Sequence, residues 1–145
     1  MPAVAFLLAG IILTAPFKNG GTIPKRYTCD GADARPAIGF WDAFRPGQRP
    51  VRRASALEVT DIDAPGGAFV HFIAVGRVEG RNSFGTVGWR GPCPPAGDPP
   101  HRYVFRMYVL DRRPALKTGF TDAQLRRVIR GHVVATGKIV GRYGR

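Results

Sequence analysis

The ten residues HRYVFRMYVL, His101 to Leu110, alternate along the chain. His101, Tyr103, Phe105 and Met107 therefore share one face, and Arg102, Val104, Arg106 and Tyr108 take the other. A period of two predicts a strand. Apolar runs bounded by turn residues predict further strands at residues 11–17, 37–41, 54–60, 70–75 and 133–143. One stretch is spaced for a helix instead: Leu125, Val128 and Ile129 form a single apolar stripe, Thr121 with Asp122 caps its start, and Gly131 stops it. Between these elements lie a turn at Asn19–Gly21, a loop over residues 24–36, an Arg/Pro-rich connection to Arg53, and the long stretch EGRNSFGTVGWRGPCPPAGDPP. That stretch has hardly any regular pattern, and loops of its length in compact domains are usually functional.

Composition supports this β-rich reading. The chain has 145 residues with 19 Gly and 13 Pro, residues that interrupt helices and build turns. Apolar content of 44% suits one buried core. No repeat or linker divides the chain, so the expected organisation is an N-terminal apolar extension of residues 1–10 and a single domain over residues 11–145. The opening MPAVAFLLAGIIL has a signal peptide's apolarity but no basic residue before it, and its small-residue site at Ala15 is followed by Pro16. It is also too short to span a bilayer. The expectation is a cytoplasmic chain without a transmembrane segment, with export as the alternative. The net charge of +12 attracts anionic partners without specifying one. Its arginines form no single run and no RNA-module signature accompanies them, so nucleic-acid binding by the basic surface stays a minor alternative.

The candidate chemistry lies in loops. In DIDAPGGAFVHF, Asp61 and Asp63 stand two residues apart, so a strand running that far would point both the same way. Their charges would repel unless a cation or hydrogen-bond donor, from His71, His101 or the backbone, lay between. His101 and Tyr103 share a face just beyond the long loop. A carboxylate, an imidazole and a phenol converging there would make a small polar pocket suited to phosphate or carboxylate. On spacing alone, Asp61 as a turn cap and the histidines as satisfied core residues fit equally well.

Four segments carry a resemblance: FKNGGTIPKRYTCDG, DIDAPGGAFVHF, GRNSFGTVGWRGPCPPAGDPPHRYVFRMYVLD and GHVVATGKIVGRY. In order and nearly end to end, over residues 11–145, they resemble the bacterial and archaeal branch of the phosphatidylethanolamine-binding protein, or Raf kinase inhibitor-like, family. The resemblance implies an antiparallel β-sandwich with few helices and an anion-binding pocket at one end. It places that pocket on Asp61, Asp63 and Pro65, on His71, on Cys93, Pro94 and Pro95, and on His101 and Tyr103. In this chain Ile62 and Phe72 stand where family members usually have Pro and Trp, which is expected to relax the turn and shrink the pocket wall. The resemblance also places Cys29 and Cys93 in loops near the pocket and implies a disulfide between them, against the alternative of two reduced, buried thiols. A cis bond at Ala64–Pro65 is expected from the sharp turn.

The function expected from the resemblance is non-catalytic binding of a phosphate-like or other small anionic group: a lipid headgroup, phosphorylated peptide or metabolite. A protein kinase as partner and a homodimer are left open. The alternative is a hydrolase with His71 or His101 as general base, although Ser83 and Thr86 sit in no nucleophile-elbow pattern. No cofactor is expected, and no metal, because no close ligand pair such as H-x-x-x-H is present.

Overall fold

The computed structural model describes residues 9–42 and 53–145. In chain order the elements are β1 (Ala9–Thr14), β2 (Gly39–Asp42), β3 (Ala54–Asp61), β4 (Phe69–Val75), β5 (Val78–Glu79), β6 (His101–Leu110), helix α1 (Asp122–Ile129) and β7 (Val133–Tyr143), with a single 3-10 turn at Lys25–Tyr27. The strands form a seven-stranded sheet in the order β2-β1-β7-β6-β3-β4-β5.

The mainly β fold with few helices implied by the resemblance is present, but as a mixed sheet rather than a clear antiparallel sandwich. The sheet is mixed: β1 runs parallel to β7, with Ala9 opposite Ala135 and Gly10 opposite Thr136, while the other pairs are antiparallel. Among the described residues it is one sheet, covered by loops on one face and by α1 on the other. The first strand begins at Ala9, inside the expected extension, and ends at Thr14, ahead of Pro16, which has no N–H to give a ladder. The rest of the extension, residues 1–8, lies outside the described residues, as does most of the Arg/Pro-rich connection. The second strand is displaced from residues 37–41 to Gly39–Asp42.

The alternation in β6 produces two packed clusters. Tyr103, Phe105, Met107 and Val109 face a cluster with Val59, Phe72 and Ile139. Leu110 on the other side joins Ala56, Ile73, Val75, Phe120, Leu125 and Ile129, which seats α1 on the sheet. Burying a leucine-sized side chain completely is worth about 1.5–3 kcal/mol, and Leu125 is fully buried. Thr121 and Gln124 close a reciprocal capping box at the helix start, and Gly131 follows its end with φ of 79°.

A bulge in β4 positions the site. Val59 pairs with Phe72 but Thr60 with Val70, so His71 is an extra residue in the ladder. Phe69, His71, Phe72 and Ala74 can then all serve the same face. Without the extra residue, Phe72 and Ala74 would turn towards α1.

Candidate functional site

The ends of β3, β4 and β6 bring the candidate residues to one level, because Asp61 lies opposite both Tyr103 and Phe69. The strand stops at Asp61, where its Oδ1 accepts the Asp63 N–H at 2.8 Å. This reversal, followed by a turn in which Gly67 N–H donates to Ala64 O at 3.1 Å, leaves Ala64–Pro65 trans, contrary to the expected cis bond. Pro65 occupies the second position of that turn, where trans proline is preferred.

Asp61 and Asp63 consequently part company. Asp61 is buried and accepts from His101 Nδ1 at 2.6 Å. Asp63 turns outward into a two-pronged pair with Arg102, at 2.9 and 2.8 Å, and also accepts the Arg102 N–H. Hydrogen bonds from Arg102 hold the Asp63 carboxyl down at about 2. The repulsion expected between the two acids is relieved by giving each its own hydrogen-bond donor, His101 for Asp61 and Arg102 for Asp63.

Burial pushes the His101 imidazole down, but its hydrogen bonds to Asp61 and Asp98, with their charges, outweigh that and raise it above the ordinary histidine value. Its second nitrogen, Nε2, contacts Asp98 Oδ2 at 3.2 Å. His71 is shifted the other way: burial pushes it down and holds the ring neutral. Its Nδ1 donates to Arg90 O at 2.6 Å, which fixes the tautomer and leaves Nε2 as an acceptor. Tyr103 is fully buried, and its hydroxyl, close enough to Asp61 to feel that carboxylate, meets no acceptor in hydrogen-bond geometry. Burial, reinforced by the charge of Asp61, pushes the phenol up and keeps it a donor.

These groups surround a cavity of about 140 Å³. Asp61, Pro65, His71, Cys93, Pro94, Pro95, His101 and Tyr103 line it, and Asp63 does not. Phe72 is also outside the wall, packed on Trp89, so it does not narrow the cavity as expected. Ala64, Phe69 and Phe84 complete the lining and escaped the sequence reading. Phe69 could have been found, since it shares strand parity with His71. Phe84, edge-on to both Phe69 and His71, had no local signal. The buried Asn82 places it, its Oδ1 accepting the N–H groups of Phe84 at 3.0 Å and Thr86 at 3.1 Å. Ser83 Oγ accepts the Val70 N–H, and Thr86 is bound to Asn82, so both hydroxyls hold the loop.

The wall at Cys93–Pro95 is clasped from outside. Cys29 and Cys93 form a disulfide, Cys29 N–H donates to Pro92 O at 3.1 Å, and Asp33 Oδ1 accepts from Trp89 Nε1 and Gly91 N–H. Position 91 must be glycine here, because a Cβ would collide with the backbone oxygen of Tyr27. A second, more open cleft of about 600 Å³ shares His101 and is lined by Asp63, Asp98, Arg102 and Arg142. Among the described residues, no three His, Cys, Asp or Glu side chains are arranged to hold a metal ion. No helix there is long and apolar enough to cross a membrane.

Fold and cavity together define a mainly β protein with a small, largely apolar chamber at the strand ends, into which a few polar groups are set, among them two histidines shifted in opposite directions. The model of the phosphatidylethanolamine-binding protein family matches residues 14–144, and the chain belongs to that family. It is 36% identical over 156 residues to a UPF0098 protein of Archaeoglobus fulgidus, covering 93% of this chain and 51% of that one. It is 35% identical over 153 residues to the Methanothermobacter thermautotrophicus counterpart, covering 91% and 97%. The chain thus spans about half of the first relative and nearly all of the second. Among solved structures, a phosphatidylethanolamine-binding protein homologue from Chlamydia trachomatis superposes with a TM-score of 0.81 at 32% identity, over 94% of this chain and 99% of that one. Escherichia coli YbcL, described as a member of the mammalian family, gives 0.80 at 25% identity with the same coverage.

Proposed function

We propose that the chain binds a small oxyanion in the cavity between His71 and His101. The observation that carries this reading is the Tyr103 hydroxyl. A buried donor without a partner costs about 1–3 kcal/mol, a penalty that a ligand oxygen would remove. Beside it, Asp61 orients an imidazole whose charged form its hydrogen bond and carboxylate favour. The chemistry suits the phosphate of a lipid headgroup, a phosphorylated peptide or metabolite, or a carboxylate.

Calorimetric titration of the chain with phosphate and acetate tests this. Saturable binding is expected, abolished in H101A and weakened about tenfold in Y103F through loss of one charge-assisted hydrogen bond. Without ligand, Y103F should be as stable as the wild type or about 1–2 kcal/mol more stable. Unchanged affinity in both variants overturns the reading.

A second reading has one observation behind it. The His71 Nε2 lone pair is what a general base acting on a water would use. Hydrolysis of a phosphate ester that is lost in H71Q would support it, and an inert chain would remove it.

A further inference from the structure

His101 stands between two carboxylates of different standing. Asp61 is fixed: its side chain is 6% exposed and both oxygens are engaged, one by Asp63 N–H and one by His101. Asp98 is held far less. Its side chain is 41% exposed, and its one side-chain contact is His101 Nε2. It rides on a loop in which Gly97 has φ of 90° and Asp98 N–H reaches back to Pro95 O. His101 lines the inner cavity and the outer cleft, whereas Asp98 lines only the cleft. The carboxylate of Asp98 therefore approaches the imidazole from the cleft and occupies Nε2, the one ring nitrogen that Asp61 leaves to a ligand oxygen.

The charges around the cavity decide what it accepts. Asp61 offsets the charge of His101 whenever that imidazole is protonated. His71 and Tyr103 are neutral, Arg102 is committed to Asp63, and Arg90, stacked on Phe84 at 4.3 Å, is not part of the wall. Asp98 remains as one negative charge touching the only cationic group of the wall. A ligand oxygen reaching for His101 must share that cation with Asp98 or displace it. Every additional negative charge on the ligand meets the same carboxylate.

Resting on the anion-binding reading above, we propose that Asp98 is a specificity residue that tunes the cavity to singly charged oxyanions, a carboxylate or a phosphodiester, against doubly charged ones. A dianion in the cavity would face Asp98 with no second cation in the wall to answer its second charge, since Arg142 lines only the outer cleft. A monoanion leaves the local charge small, and its two oxygens are matched by Tyr103 O–H and His101 N–H.

Sulfate and methanesulfonate are the probes, being tetrahedral oxyanions of similar size that differ in charge. They would be titrated into the chain and into D98N at about pH 6, where an imidazole paired with a carboxylate is charged. Wild type should bind methanesulfonate more tightly. In D98N, which keeps an acceptor for His101 but removes the charge, affinity should rise about fivefold for methanesulfonate and about twenty-five-fold for sulfate, for a partly exposed charge acting on one or two ligand charges. Acetate and dimethyl phosphate, run in parallel, separate a free carboxylate from a diester headgroup. A sulfate-to-methanesulfonate ratio unchanged by D98N overturns the role of Asp98, as does a loss of affinity for both. Binding of none of the four anions to either protein overturns the cavity reading itself.

Discussion

Replacing Cys29 and Cys93 together by serine should remove a large part of the chain's stability while leaving its fold. The two cysteines are 64 residues apart in sequence, and a cross-link closing a loop of that length withdraws about 4 kcal/mol of entropy from the unfolded chain. Both residues are exposed, so serine sacrifices little packing and the loss reports the cross-link. For 145 residues the unfolding entropy is about 0.3 kcal/mol per degree, which converts the loss into a fall in melting temperature of about 13 °C. The fold should persist because the Cys29–Pro92 backbone bond and the two Asp33 bonds still join the loops. Scanning calorimetry of wild type and C29S/C93S, each with and without reductant, measures this directly. Reduced wild type should melt with the variant, and the variant should ignore reductant. A double variant melting within about 4 °C of oxidised wild type would refute the loop-closure reasoning.

The two histidines should leave opposite marks on stability against pH. His71 is pushed down, so it withdraws stability as pH falls below about 6.5; His101 is pushed up, so its contribution is lost as pH rises above about 6.5. Urea midpoints should accordingly lose their slope below that pH in H71N and above it in H101N, and the reverse assignment would contradict the site geometry. The Asp63–Arg102 pair contributes above the usual carboxylate range and fades as pH falls towards about 2, and because Arg102 is half exposed its loss in R102A should be about 1 kcal/mol or less. Core truncations set the scale for comparison: L125A should cost about 2–5 kcal/mol and F105A about 3–5 kcal/mol in denaturant unfolding, since both side chains are fully buried.

The period-two pattern was enough for β6 and β7, whose bounds at His101–Leu110 and Val133–Tyr143 are those read from the chain. It placed β3 and β4 to within a residue, because both are flanked by polar turns. It could not show that β1 runs parallel to β7, since alternation carries no direction. It also missed β5, a two-residue strand too short to have a period. At the cavity, parity correctly put His101 and Tyr103 side by side, but it misled at Asp63, where the strand had already ended. The bulge at His71 was invisible for a related reason: an inserted residue is defined by what lies opposite it, and the partner strand is not written in the local sequence. Asp98 went unremarked because its importance comes entirely from a side chain reached through the fold.

The strand order also dictates an order in time. β7 lies inside the sheet, between β1 and β6, yet it follows every other strand in the sequence. While the chain is being synthesised, β1 and β2 can pair with each other, and β3, β4 and β6 can form a second group. The two groups have no common edge until residues 133–143 have emerged from the ribosome. Until then β6 and β1 each present an open row of backbone donors and acceptors, the circumstance in which chains find the wrong neighbour. A nascent chain halted before β7 is therefore two separate β fragments rather than an almost finished protein, and completing the sheet waits on contacts such as Ala9 with Ala135, among the slowest kind to form.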